Sequence, residues 1–328
     1  MSRLRNRSGA PGLLSWLASS PPDAAIEIAP DMVSIAVLGA RGSAPTVQAY
    51  GAADLPPGAV VPALVGHNVV DRAAVVDALR AACERAGHRP RRAALVIPDV
   101  AARVSLVRFD QVPDRRDDLD QLIRWQVKKS LPFSVDEASV SHSAGSRLDP
   151  GVEFVVVAAR RDVVAEYEGV CDAAGIHAGL VDVATLCVAN LYLAGGAPAG
   201  DWLIVHIRPE CTSIAIMRGG DLIFFRSRAE GDAEPLSDVV HQTAMYYQDR
   251  LAGKGFTRIF AGGRTPVAGG LETAILELEA RLGTIVEPLD PTAMAPIVDR
   301  ITVTPRQGAA LAPLVGMLLR GRKEMVAA

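Results

Sequence analysis

Two short stretches of the 328-residue sequence carry residue types that phosphate and metal chemistry uses. The first is Glu27-Ile28-Ala29-Pro30-Asp31-Met32-Val33-Ser34. The second is His206-Ile207-Arg208-Pro209-Glu210-Cys211-Thr212. Each joins two apolar strands through a turn containing a proline, Pro30 or Pro209. A hairpin turn bare of side chains lets backbone N–H groups approach phosphate oxygens, and a carboxylate beside it can hold magnesium through water. Gly262-Gly263, read as a turn between a strand and a helix, is a third place where backbone can come close to a ligand. Other chemistries lack their pattern. The histidines His67, His88, His142, His177, His206 and His241 show no HxxxH or HExxH spacing and are read as surface or structural. No G-x-S-x-G elbow is present for hydrolysis. Asp114, Asp117, Asp118 and Asp120 gather where a helix begins, which suits its dipole better than a cation site. No catalytic residue and no metal site are assigned.

The elements that must position these residues follow from periodicity. Ala24–Leu38 alternates as a strand pair around Pro30-Asp31, and Gly51–Gly66 reads as a loop or edge strand. Val75, Val76, Leu79 and Cys83 predict a helix over Asp71–Gly87. Strands are expected at Ala93–Pro98 and Ala102–Phe109. A helix over Asp114–Ser130 follows, capped by Asp114 and stopped at Pro132. Further strands fall near Ala138–Ser143, Phe154–Ala159 and Ile176–Val181, with helices over Arg161–Ala174 and Val183–Leu193. The run Ala194–Gly200 is the best boundary. After it the grammar restarts: strands Trp202–Ile207, Thr212–Arg218 and Asp221–Ser227, helix Leu236–Leu251, strand Arg258–Ala261, helix Leu271–Leu282, strand Ile285–Pro288 and helix Arg306–Leu319.

Composition narrows the class. A net charge of −3 excludes a general nucleic-acid binder, and 49 % hydrophobic residues exclude a disordered chain. The longest apolar runs fall short of the ~20 residues of a membrane span. Cys83, Cys171, Cys187 and Cys211 form no CxxC pair and are expected to be buried in a reducing, cytoplasmic protein. No secretory signal is read at the start.

The duplicated strand–proline turn–strand unit resembles the actin-like architecture, in which two α/β lobes enclose a nucleotide cleft. The match becomes specific at several segments: Leu95-Val96-Ile97-Pro98, then Arg103–Phe109 and Val112-Pro113, then Trp125-Gln126-Val127-Lys128-Lys129-Ser130-Leu131-Pro132-Phe133. Gly175-Ile176 leading into Val181–Ala184, Gly262-Gly263 and Leu311–Arg320 complete the set. In this order they resemble the PilM family of type IV pilus assembly proteins, relatives of FtsA and of the cytoplasmic part of type II secretion protein L. The Trp125–Phe133 passage is similar to that family's EAxKxIPF. The resemblance implies an α/β, actin-like (ribonuclease H-like) duplicated fold. Its parts would be an N-terminal arm at 1–23, a first lobe at 24–194 with an inserted subdomain at about 95–175, and a second lobe at 201–328.

The resemblance places the nucleotide positions at Glu27, Ala29, Ser34, His206, Arg208, Thr212, Gly262 and Gly263, with ATP and magnesium as the implied cofactors. The chain departs from it there. The family's first hairpin resembles D-I-G-S-S-S-V-K, but Ala29 and Pro30 replace the residues after the carboxylate. The second resembles D-I-G-A-G-x-T, but His206 replaces the acid, both glycines are gone, and Pro209 removes a donor. Arg208 could contact a phosphate or fill its place. The implied partner is the N-terminal cytoplasmic tail of a PilN-like inner-membrane protein, docking beside the inserted subdomain. Trp125, Lys128, Lys129 and Phe133 are the candidate contacts. Trp125 is read as half-buried against a neighbouring subdomain, with an exposed contact site as the alternative. Coupling to the assembly motor ATPase would be by contact. Leu13-Leu14-Ser15-Trp16-Leu17, after Arg3, Arg5 and Arg7, would graze a membrane surface or pack on the body. The expectation is a cytoplasmic scaffold recruited to the inner face of the inner membrane. Its rivals are an ATP-responsive switch of the same fold and, further off, a metabolite kinase.

Overall fold

Ala24–Ile28, small and branched residues apart from Glu27, is buried along its whole length, as suits a central strand, and it forms β1. β2 (Met32–Arg41) and β3 (Ala44–Asp54) continue it as an antiparallel meander. The computed structural model describes residues 22–41, 44–229, 235–265, 269–298 and 304–320. The Leu13–Leu17 patch lies outside them. β3 is the edge strand of its sheet, but it begins at Ala44 and ends at Asp54, earlier in the chain than the loop or edge strand read over Gly51–Gly66. Gly51 is required there, because a side chain would strike the Ala82 carbonyl of the covering helix α1 (Arg72–Ala86). Asp71 caps α1 by accepting from the Ala74 N–H, and Gly87 ends it in the left-handed conformation.

The chain then runs through β4 (Arg92–Ile97), β5 (Arg103–Phe109), α2 (Arg116–Val127), β6 (Ala138–Arg147), β7 (Val152–Arg160), α3 (Arg161–Ala173), β8 (His177–Val183) and α4 (Ala184–Ala194). The first sheet has the order β3-β2-β1-β4-β8, with β4 parallel to both β1 and β8. Between β4 and β8 an excursion forms its own antiparallel sheet, β5-β7-β6. α2 covers it through Ile123 and Val127, which pack with Val107, Phe154 and Val156. Helix α2 begins later than expected. Its N-cap position is Arg115, which makes no side-chain capping bond, and Asp114 precedes it.

The remaining elements are β9 (Asp201–Ile207), β10 (Cys211–Arg218), β11 (Asp221–Ala229), α5 (Leu236–Arg250), β12 (Arg258–Gly263), α6 (Gly270–Leu282), β13 (Glu287–Pro288) and α7 (Pro305–Leu319). Their sheet, β11-β10-β9-β12-β13, repeats the first in order and strand direction. Its strands alternate. Leu203, Val205 and Ile207 face the core under α5 and α6, while Trp202 and Ile204 face the core shared with α4 and α7. His206 therefore looks toward α4.

The last helix departs from the sequence reading. Residues 201–328 were expected to form the second lobe, yet α7 packs chiefly on α4 and on β1, β2 and β4 of the first sheet. It also meets β12 of the second sheet, and its leucines pack in the core that the inner faces of both sheets share. A Thr304–Gln307 capping box starts it. The four cysteines are free and buried, and burial pushes the Cys171 thiol up to about 12. No described helix is long and apolar enough to cross a membrane.

The α4–α7 contact tolerates no side chain at Gly316, where a methyl group would fall on the Cys187 carbonyl oxygen. Gly308 in the same helix faces open space. Gly316→Ala is expected to lower unfolding free energy by about 3 kcal/mol or more, and Gly308→Ala to raise it by up to ~1 kcal/mol. Denaturant midpoints of the two variants check the contrast.

Candidate functional site

The two proline turns occupy equivalent places in the two sheets. The Ala29 N–H donates to the Met32 carbonyl at 3.0 Å, and the Arg208 N–H to that of Cys211 at 2.8 Å. Glu27 pairs with Ser34 across the first hairpin as His206 pairs with Ser213 across the second. Each turn reads X-Pro-acid-X, with Asp31 and Glu210 as the acids. Proline fixes φ at the second turn position, and an acid follows it in each turn.

Between the turns lies a buried ionic cluster. Arg208 reaches from the second lobe to the first, its Nη2 2.6 Å from Glu27 Oε1. Its Nε lies 3.5 Å from Glu210 Oε1. Arg264, just beyond β12, places Nη1 3.7 Å from Glu27 Oε2 and Nη2 3.0 Å from Asp31 Oδ1. Glu27, Arg208 and Arg264 are each at most 2 % exposed. Burial pulls the Arg208 pKa down, but Glu27, Glu210 and Asp31 together outweigh it and hold the group firmly charged. Arg264 is shifted downward by burial and by the neighbouring Arg208. Burial raises Glu210 despite both arginines. The Arg208 guanidinium thus lies between the two turns, against Glu27 of one and Glu210 of the other.

A second polar network flanks the first. Asp99, just past β4, accepts from the Thr185 N–H at 2.9 Å, from the Thr185 hydroxyl, and from Ser213 Oγ at 2.7 Å. Burial raises the Asp99 pKa, and these hydrogen bonds oppose the shift. Thr185 spends its one proton on Asp99. The 2.9 Å contact with His206 Nδ1 therefore has the imidazole donating. His206 Nε2 is left as a buried acceptor with no hydrogen-bond partner, as is Ser34 Oγ.

Gly262 and Gly263 end strand β12 and form no turn. Gly262 pairs with His206 and Gly263 with Ile207. A side chain at Gly262 would meet Leu289, and one at Gly263 would meet the Ile207 carbonyl oxygen. Their missing side chains admit other parts of this chain. Thr212 opens the second hairpin opposite Ile207. Glu27, Ala29, Ser34, His206, Arg208, Thr212, Gly262 and Gly263 thus gather at one end of the paired sheets.

The surface candidates lie elsewhere, on the small sheet's helix. Trp125 is 62 % exposed, which corrects the half-buried reading. The α2 stripe that packs inward is Ile123 and Val127, and Trp125 projects between them to solvent. Lys129 Nζ lies 5.7 Å from the Trp125 ring centroid, and Lys128 is exposed beside it. Phe133 is half-buried with the Arg160 guanidinium over its ring. Among the described residues no group of His, Cys, Asp and Glu has the arrangement to hold a metal ion.

Sequence reasoning missed Arg264, Asp31, Glu210, Asp99 and Thr185 as members of the cleft. One signal was available: the repeat of Pro followed by an acid in both turns. Asp99 and Thr185 left none, since a single Asp after a strand and a Thr in a helix are common.

The chain was compared with known families and solved structures. The family model described as type IV pilus assembly protein PilM matches residues 25–254. A solved PilM-PilN type IV pilus biogenesis complex is 18 % identical with a TM-score of 0.76, covering 92 % of this chain and 99 % of that one. A Bacteroides thetaiotaomicron protein of actin-like ATPase fold is 9 % identical over 87 % of this chain and 96 % of its own, with a TM-score of 0.48. The cytoplasmic domain of EpsL of the Vibrio cholerae type II secretion system is 11 % identical over 93 % and 94 %, with a TM-score of 0.46.

The buried imidazole has a consequence for pH. Burial first, then Arg208 and Arg264, hold His206 well below its ordinary 6.5. The unfolded chain takes up a proton near that pH which the folded chain refuses, so the contribution is present above it and lost as pH falls. Between pH 6.5 and about 5.5, His206 is expected to cost about 1 kcal/mol of stability. Denaturation of wild type and His206→Asn at both pH values measures it. Equal slopes would show that the folded state accepts the proton.

Proposed function

The chain belongs to the PilM family of type IV pilus assembly proteins, and from that membership and its filled cleft we propose that it is a cytoplasmic scaffold of pilus assembly rather than a phosphate-transfer catalyst. The observation that carries the reading is Arg208 seated on Glu27 between the two turns. A magnesium nucleotide would need that carboxylate and bare turn amides. The carboxylate is already paired, Pro30 and Pro209 have no amide to give, and the glycine space of β12 is taken by Ile207 and Leu289. The reading treats the cleft as degenerate and the protein's binding as independent of ATP and magnesium.

The proposed partner is the N-terminal cytoplasmic tail of a PilN-like, single-span inner-membrane protein, in line with the PilM-PilN complex that this fold matches. That tail would recruit the protein to the inner face of the membrane, and the motor ATPase would couple by contact. The proposed docking region is the exposed end of α2. Trp125 supplies the aromatic anchor, Lys128 and Lys129 supply charge, and Phe133 supplies a half-buried apolar floor.

The test is calorimetric titration of the full chain with synthetic N-terminal tails of candidate bitopic proteins. Binding is expected with and without ATP and magnesium at the same affinity, and Trp125→Ala should weaken it about tenfold, ~1.4 kcal/mol. Absence of binding to any tail would overturn the scaffold reading. Binding only in the presence of nucleotide would establish the ATP-responsive switch instead.

A further inference from the structure

The charges of the cleft come from both lobes, and two guanidiniums stand among three carboxylates. Glu27 and Asp31 belong to the first hairpin, Arg208 and Glu210 to the second, and Arg264 to the end of β12. We propose that Arg208, assisted by Arg264, is a built-in counter-cation that latches the two lobes closed, so that the closed form is the resting state of this chain. The inference goes beyond the scaffold reading and holds whether or not a tail binds.

Three observations carry it. First, the ion pairs cross the divide between lobes: Arg208 to Glu27 at 2.6 Å, Arg264 to Asp31 at 3.0 Å. Glu210, in the same turn as Arg208, stands 3.5 Å from its Nε and aims the guanidinium forward. Second, the groups are sealed. Arg208 and Arg264 are 2 % exposed and Glu27 1 %, so salt in solution screens them little. Removing one partner would leave an unpaired buried charge, the costly way to break such a pair. Third, a hydrogen-bonded bridge spans the same divide beside them. Ser213 of the second lobe donates to Asp99 of the first, and His206 of the second donates to Thr185 of the first. Ion pairs and hydrogen bonds thus span the same divide side by side. The prolines of both turns restrict the backbone that carries Asp31, Arg208 and Glu210, which lowers the entropy lost in aligning them.

The experiment compares melting of the full chain as wild type and as Arg208→Ala, each with low-millimolar guanidinium chloride or sodium chloride. Arg208→Ala is expected to melt about 10 °C lower. Guanidinium should restore much of that loss and sodium should not, because the vacated space fits one planar cation among carboxylates. Equal melting of variant and wild type, or a loss that guanidinium does not repair, overturns the latch. A second measurement needs no variant. In wild type, hydrogen exchange at the Ala29 and Arg208 amides should proceed only through global unfolding and should not respond to ATP and magnesium. Exchange through a local opening of the turns, or a response to nucleotide, overturns it as well. Neither readout involves a tail peptide, so failure here is separable from failure of the scaffold reading.

Discussion

The pair formed by Glu27 and Arg208 is the constraint around which the molecule is arranged. Burying a carboxylate in a central strand is costly unless it is paired. In this chain the partner arrives from the opposite lobe, on a turn that the second sheet presents in the same place and direction as the first. The duplication of the strand order makes that meeting possible. Two copies of one hairpin face each other, and one copy carries an arginine where the other carries Ala29. Arg264 and the flanking Asp99–Thr185–His206–Ser213 bonds complete a polar seam between two apolar cores.

Much of the fold was legible because burial writes a period into the sequence. β1, β9 and β12 are short apolar runs bounded by turn residues, and α1 has a capped amphipathic pattern with glycine at its end. Departures occurred where tertiary contact outweighs local pattern. β3 is stabilised by α1 lying on Gly51, a contact that no window of neighbouring residues reveals. Gly262 and Gly263 read as a turn because glycine usually punctuates, whereas here they are small so that a strand can run against Ile207 and Leu289. Trp125 was expected to be half-buried against a neighbouring subdomain, with exposure as the alternative; among the described residues no neighbour covers its off-stripe position on α2, and it is exposed.

The site was legible in position and not in chemistry. The aligned turns located Glu27, His206 and Arg208 correctly at one place, since a hairpin between apolar strands fixes where its ends lie. What those groups do depends on distances across the lobes, which the linear order does not encode. Arg264 lies far along the chain from Glu27, and only the closure of the two sheets brings them together.

Helix α7 carries a consequence of another kind. It packs on the first lobe from the far end of the described chain, lying on α4 with Gly316 against the Cys187 carbonyl. During synthesis the first sheet therefore emerges with one of its covering layers still unmade, and the second lobe must be threaded before that layer arrives. The apolar faces of β1 and α4 stay open for the time it takes to translate the intervening residues, the interval in which chaperones and aggregation compete for such surfaces.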